Sequence, residues 1–173
     1  LSHFAIFDIE GRDAERLLEL LSVARVGGAT KPGQVVYTNF LDPLGGVRAD
    51  LTICRLGEQH FRVITGGADG NRDFVWIRNY RDDHGFDAQI QIRTHDLATL
   101  GFWGPKAREV LGKFIDPNEL ADTAFPFATA RKLTLAIGGA AQIPVWAMRI
   151  SYVGELGWEL YLDNDEKVGL PTF

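Results

Sequence analysis

Residues 3–9 alternate apolar and polar positions in the manner of an edge strand. Gly11-Arg12-Asp13 then opens AERLLELL, where Ala14, Leu17, Leu18 and Leu21 recur at helical spacing behind Asp13 as N-cap. The period returns to two over 35–41 and 47–56, and Asp42-Pro43-Leu44-Gly45-Gly46 joins these runs. Proline presets φ and glycine accepts positive φ, so the pattern predicts a hairpin with a five-residue loop. A third strand is expected over 61–65, and residues 69–83 read as a helix with Phe74, Ile77 and Tyr80 on one stripe and charges on the other. Residues 88–93 alternate as a strand. Gly104-Pro105 starts a further helix whose apolar face is Ala107, Val110, Leu111 and Phe114. After a loop holding Pro117 and Pro126, residues 131–137 and 143–152 predict a second hairpin, and 157–162 a last strand. The sum, about eight strands mostly in hairpins and three helices, predicts an α+β fold with mainly antiparallel sheet.

Composition narrows the class. The 173 residues suit one ordinary domain with its own core, and 46% hydrophobic with 24% charged residues excludes wholesale disorder or a fibrous chain. Glycine pairs at 27–28, 45–46, 66–67 and 138–139 punctuate short strands. Acidic side chains outnumber basic ones, 23 to 18, with no run of Lys or Arg to track a phosphate backbone, so a nucleic-acid partner is not expected. Thirteen of the 18 basic residues are Arg, whose planar fork suits an anionic small ligand. Cys54 stands alone and four His are scattered, so neither an intrachain disulfide nor a metal site is expected, and a reducing, cytoplasmic setting is the default. No apolar run approaches the roughly 20 residues of a membrane span, so no membrane partner is expected. The start at Leu1, with Met148 the only methionine, reads as a fragment, a processed form or an expression product.

Two stretches carry candidate chemistry. From Val47 the alternation puts Val47, Ala49, Leu51 and Ile53 on one face and Arg48, Asp50, Thr52 and Cys54 on the other. Asp is a poor strand former, so Asp50 is either on the wet side of a two-layer sheet or projected into a pocket to hold a cationic nitrogen. In RISYVGELGWELY, residues 149–161, Gly154 and Gly157 bracket a tight turn, after which Trp158, Leu160 and Leu162 face one way and Glu159 and Tyr161 the other. The stretch reads either as a pocket wall or as an ordinary hairpin with a core Trp. Arg149 is left to meet Glu159, Asp50 or solvent, and Glu155 is assigned to the turn. Cys54 reads as a half-buried packing residue. His3, His60, His84 and His95 sit apart, with His60 and His84 in loops, and Asp82-Asp83 reads as a solvated helix end.

These stretches, with FWGPKARE at 102–109 and AFPFATAR at 124–131, resemble the folate-binding aminomethyltransferase family, the T-protein of the glycine cleavage system and its relatives. The phrases YTNFLDPLGGVRADLTICRLG and SYVGELGWELY are nearer to the C-terminal folate half of dimethylglycine and sarcosine dehydrogenases. The resemblance runs over nearly the whole chain, residues 1–173, with four phrases in order, and implies the folate-binding fold of that family. It implies that Asp50 is the catalytic acid/base or electrostatic residue beside the reduced folate's nucleophilic nitrogens. It also implies that Tyr37 and Ile64 line the folate pocket, Tyr152 packs against the pterin, and Glu159 accepts its pyrimidine edge. The implied activity is tetrahydrofolate-dependent one-carbon transfer giving 5,10-methylenetetrahydrofolate. The donor is an N-methyl amine oxidised to an iminium, or an aminomethyl group on a carrier. Expected partners are a flavin dehydrogenase module or a lipoyl carrier protein, and for a eukaryotic chain the setting is the mitochondrial matrix. No G-x-G-x-x-G fingerprint occurs, so FAD is expected only on a separate upstream module.

The sequence departs from the family at Gly66-Gly67, where relatives often carry a polar Asn or Ser. The downstream barrel-like domain of the family is expected to be missing after Phe173, so the chain reads as the N-terminal and middle part of the unit, binding folate weakly or not at all alone. Two alternatives stay open. One is a non-enzymatic folate-binding protein of the iron–sulfur cluster assembly type, whose Cys position is here Ser151. The other is a folate-fold remnant without activity.

Overall fold

The computed structural model describes residues 3–27, 30–138 and 141–164, so Gly28 and Gly139 of the glycine pairs, and both termini, lie outside the described residues. The chain divides into two compact units, one spanning His3–Thr94 and the other running from His95 onward.

The first unit holds β1 (Ala5–Glu10), α1 (Ala14–Leu21), β2 (Val35–Leu41), β3 (Val47–Gly57), β4 (His60–Thr65), α2 (Gly70–His84) and β5 (Gln89–Ile92). Its strands form one antiparallel sheet in the order β2-β3-β4-β1-β5. Phe7, Ile9, Leu51, Ile53, Phe61 and Val63 point to the face covered by the helices, where Leu17, Leu18 and Ile77 pack on them. Each such side chain contributes about 1.5 to 3 kcal/mol by leaving water, which is why the apolar stripes of α1 and α2 settle there.

Four expectations change. β1 is not an edge strand, because β4 and β5 pair with it on both sides and it is buried but for Glu10. Its polar positions misled because Asp8 is buried with a cation rather than wetted. Asp13 occupies the N-cap position of α1 but does not cap it: its carboxylate takes Arg16 at 2.8 Å and the backbone N–H of Asp87 at 3.1 Å. Cys54 is fully rather than half buried, and burial is the main cause that pushes its thiol up to about 12. Finally, the alternation along β3 breaks at Arg48. Phe40 pairs with Ala49 while Leu41 pairs with Val47, so Arg48 is the extra residue of a β-bulge. Its guanidinium lies 4.7 Å over the ring of Trp76 on α2 rather than beside Asp50.

The predicted five-residue loop between β2 and β3 is present and tightly tied. Asp42 Oδ1 accepts from the backbone N–H of both Leu44 and Gly46 at 2.9 Å, and Gly45 takes the φ of 84° that its lack of Cβ permits. Leu44 at the apex is 96% exposed.

The second unit is a four-stranded antiparallel sheet in the order β6-β9-β8-β7, from β6 (Leu97–Trp103), β7 (Ala130–Ile137), β8 (Ala141–Met148) and β9 (Gly157–Asp163), with the short α3 (Ala107–Leu111). β6 was not expected from the pattern; LATLGFW alternates weakly and Gly101 interrupts it, yet all seven residues pair with β9. A Cβ on Gly157 would come within 2.4 Å of the Phe102 carbonyl oxygen, so glycine there lets β9 seat on β6. α3 ends at Leu111, leaving Val110 and Phe114 exposed instead of on an apolar face, while Ala107 and Leu111 are buried. Trp158, Leu160 and Leu162 enter the core with Leu133, Leu135 and Val145, as the alternation predicted. The described elements are therefore α+β and mainly antiparallel, with nine strands and three α-helices. No helix among the described residues is long and apolar enough to cross a membrane.

Candidate functional site

In the first unit, the sheet face turned away from α1 and α2 carries the polar candidates. Register places Tyr37 opposite Thr52, Thr52 opposite Ile64, and Asn39 opposite Asp50. Tyr37 and Asp50 are diagonal neighbours on adjacent strands, within reach of a long side chain. Tyr37 Oη donates to Asp50 Oδ2 at 2.5 Å. This bond to the carboxylate, with a smaller contribution from burial, raises the Tyr37 hydroxyl above its ordinary range. Tyr37 is 67% exposed and Asp50 is exposed too, so the carboxylate is solvent-facing and oriented by the tyrosine hydroxyl. Ile64 lies on the same face and is buried.

Further along that face is a group the sequence did not bring to notice. Arg62 Nε and Nη2 donate to the two oxygens of Asp8 at 2.7 and 2.8 Å, Arg93 Nη1 lies at 3.3 Å, and His60 Nε2 at 3.5 Å. Burial opposes the charged form of Asp8, but the hydrogen bonds from Arg62 and His60 overcome it and hold the carboxyl at about 2. His60 is the first residue of β4 rather than a loop residue, and His84 ends α2 with Nδ1 on the Tyr80 carbonyl. The available signal was a charge of opposite sign at mid-strand in each of 3–9 and 61–65, since a charge that is buried needs a partner. On the helix-covered side, Thr65 Oγ1 donates to the buried Asp73 carboxylate at 2.7 Å, tying β4 to the first turn of α2.

In the second unit, Glu159 is 4% exposed on β9 and accepts from Tyr161 Oη at 2.6 Å. Burial raises its carboxyl above the usual range, and the Tyr161 hydroxyl pulls the other way. Its second oxygen, Oε1, takes no hydrogen bond among the described residues. Tyr152 stands in the turn before β9, 76% exposed, with its ring centroid 6.5 Å from that of Trp103. Glu155 is exposed and its N–H closes the turn on Ser151 Oγ.

Arg149 meets Asp122 at 2.6 Å and donates to the Phe125 carbonyl at 2.6 Å, so it does not serve Glu159. Asp122 also binds Arg108, and these two bonds hold its carboxyl below the ordinary range. Both guanidiniums lie over the buried ring of Trp158, at 5.9 and 5.8 Å. Arg108, Phe125 and Arg149, one from each of the phrases FWGPKARE, AFPFATAR and RISY, thus meet at the loop that precedes β7. No group of His, Cys, Asp and Glu that could hold a metal occurs among the described residues.

Residues 1–170 match the family described as the GCVT N-terminal domain. Human mitochondrial dimethylglycine dehydrogenase is 38% identical over 170 residues, which is 98% of this chain but 19% of that protein. An aminomethyltransferase of Paraburkholderia phymatum is 30% identical over 161 residues, covering 92% of this chain and 42% of that protein. Among solved structures, the glycine cleavage system aminomethyltransferase T from Bartonella henselae superposes with a TM-score of 0.75 at 23% identity, over 94% of this chain and 40% of that one, a likeness of fold. The chain thus spans less than half the length of these relatives, and over its own length it belongs to the GCVT N-terminal domain family.

Proposed function

We propose that this chain is the pterin-recognising part of a tetrahydrofolate-dependent one-carbon transferase, working in glycine cleavage or in the breakdown of N-methyl amines. The observation that carries the reading is the Asp50 carboxylate, exposed on a strand and held by one donor, Tyr37 Oη, at 2.5 Å. Bound tetrahydrofolate would supply the nucleophilic nitrogen that accepts the one-carbon unit, giving 5,10-methylenetetrahydrofolate. Each unit offers one carboxylate with the chemistry that group would need. In the first, Asp50 Oδ1, which takes no hydrogen bond among the described residues, would stabilise positive charge at the one-carbon donor and take up a proton. Glu159 retains acceptor capacity for the parallel N–H donors of a 2-amino-4-oxopyrimidine, and each such charged bond contributes about 1.5 to 3 kcal/mol. Tyr37 fixes the Asp50 rotamer, while Tyr152 offers an exposed ring for stacking and Ile64 an apolar position on the Asp50 face.

The donor reaches the chain from a flavin dehydrogenase module or a lipoyl carrier, and the setting follows that partner: the mitochondrial matrix for a eukaryotic chain, the cytoplasm otherwise. In this reading the folate-binding, aminomethyltransferase-like region spans residues 1–173 and includes both compact units. The iron–sulfur assembly alternative is the weaker reading because Ser151 stands where that type carries its Cys. The test is folate-dependent transfer by Asp50→Asn in a folded protein: a wild-type rate sinks the reading.

A further inference from the structure

The Arg48 bulge stands two residues before Asp50, and α2 grips that bulge at two points. Arg72 Nη2 donates to the Arg48 carbonyl oxygen at 2.7 Å. One helical turn on, Trp76 carries the Arg48 guanidinium 4.7 Å over its ring. Arg72 is itself braced at 3.0 Å by Asp69 and at 3.2 Å by Asp73, and Asp73 is bonded to Thr65, which pairs with Leu51 beside Asp50. Arg48 Nε and Trp76 Nε1 are both buried without a hydrogen-bond partner among the described residues, so the stack and the carbonyl bond are what hold this pair. An extra residue in a strand re-aims the side chains that follow, because a slip of one residue exchanges the two faces of a sheet.

We propose that Arg72 and Trp76 are positioning residues that lock the Arg48 bulge and so set the direction in which β3 presents Asp50 to its reaction partner. The role rests on the one-carbon transfer reading for its catalytic consequence, but not for its geometry. If the bulge relaxes, Asp50 moves relative to Tyr37 on β2, which lies outside the grip of α2, and the hydrogen bond between them weakens. The Tyr37 hydroxyl then titrates closer to an ordinary tyrosine.

The experiment compares wild type with Arg72→Ala and Arg72→Lys in the full-length protein, reading transfer kinetics and the absorbance titration of Tyr37 by difference against Tyr37→Phe. Arg72 is 44% exposed in its side chain, so removing it leaves the core intact. Arg72→Ala is expected to lower kcat about tenfold with KM for folate changed less than about twofold, and to shift the Tyr37 titration down. Arg72→Lys, which keeps one donor for the Arg48 carbonyl, restores most of both. Arg48→Gln, removing the cation from Trp76, moves both in the same direction. A Tyr37 titration and kcat that stay at wild type in Arg72→Ala overturn the proposal, as does a kcat loss that only tracks loss of folded protein. If wild type transfers nothing to folate, the one-carbon reading fails by itself. The Tyr37 titration then decides here, supporting the lock if it shifts and refuting it if it does not.

Discussion

Two aspartates on one face of the same sheet have opposite fates. Asp8 on β1 is 3% exposed and surrounded by Arg62, Arg93 and His60; Asp50 on β3 is exposed, and Tyr37 is its side-chain hydrogen-bond partner among the described residues. Asp8 stays charged, because both its oxygens accept from the buried Arg62 guanidinium. Asp50 is exposed and oriented by Tyr37, and it is the carboxylate to which the proposed one-carbon transfer assigns a ligand. On this face, then, the buried carboxylate keeps guanidinium partners and the exposed one a tyrosine hydroxyl.

That contrast can be broken from the structural side first. Arg62→Met leaves Asp8 buried beside weaker partners and is expected to cost about 3 to 5 kcal/mol in denaturant unfolding. A loss under about 1 kcal/mol would mean that Arg93 and His60 suffice. From the chemical side, Asp50→Asn is expected to lower transfer kcat about a hundredfold or more while unfolding stays within about 0.5 kcal/mol of wild type. A stability loss comparable to that of Arg62→Met would erase the distinction.

Acid sharpens it. Asp8 titrates at about 2 in the folded chain, below the unfolded value of about 3.9. Its contribution, about 2 kcal/mol, is therefore fully present above roughly pH 4 and is lost as pH falls through 2. Unfolding measured from pH 5 to pH 2 should show a slope that Asp8→Asn removes. Glu159 runs the other way. Its folded carboxyl lies above the unfolded value, so the folded state is favoured below the carboxylate range and loses that advantage as pH rises. Glu159→Gln should thus unfold later than wild type at pH 7 yet bind tetrahydrofolate about tenfold more weakly or worse by titration calorimetry. Tyr37→Phe is the gentlest change, expected to cost about 0.5 kcal/mol or less in stability at its exposed site, with the effect confined to kcat.

The hairpin from 35 to 57, α1 and α2 were legible because their periodicity holds over most of their length, the Arg48 bulge apart, and Asp42, Pro43 and Gly45 stand where the hairpin turn needs them. What escaped was set by contacts remote in sequence. β1 looked like an edge strand because Asp8 and Arg62, 54 positions apart, neutralise each other inside. The face of Arg48 was misassigned because a bulge depends on the partner strand, which no single run of residues reveals. β6 was missed because its order comes from pairing with β9 and not from its own alternation. At the candidate site, Asp50 and Glu159 were recognisable as charges on strands, and the resemblance gave them roles. The Tyr37 bond to Asp50 needed the register of two strands, and the diversion of Arg149 to Asp122 needed the path of an intervening loop.

The loop between β2 and β3 has a practical corollary. Its apex side chain, Leu44, projects into water from a turn that Asp42 fastens on both sides. The chain's one cysteine is sealed in the sheet with its thiol pushed up to about 12 and so barely ionises at neutral pH. A cysteine introduced at Leu44 would therefore be the single reactive thiol, and the turn becomes a ready attachment point for a fluorophore or surface tether that leaves the core untouched.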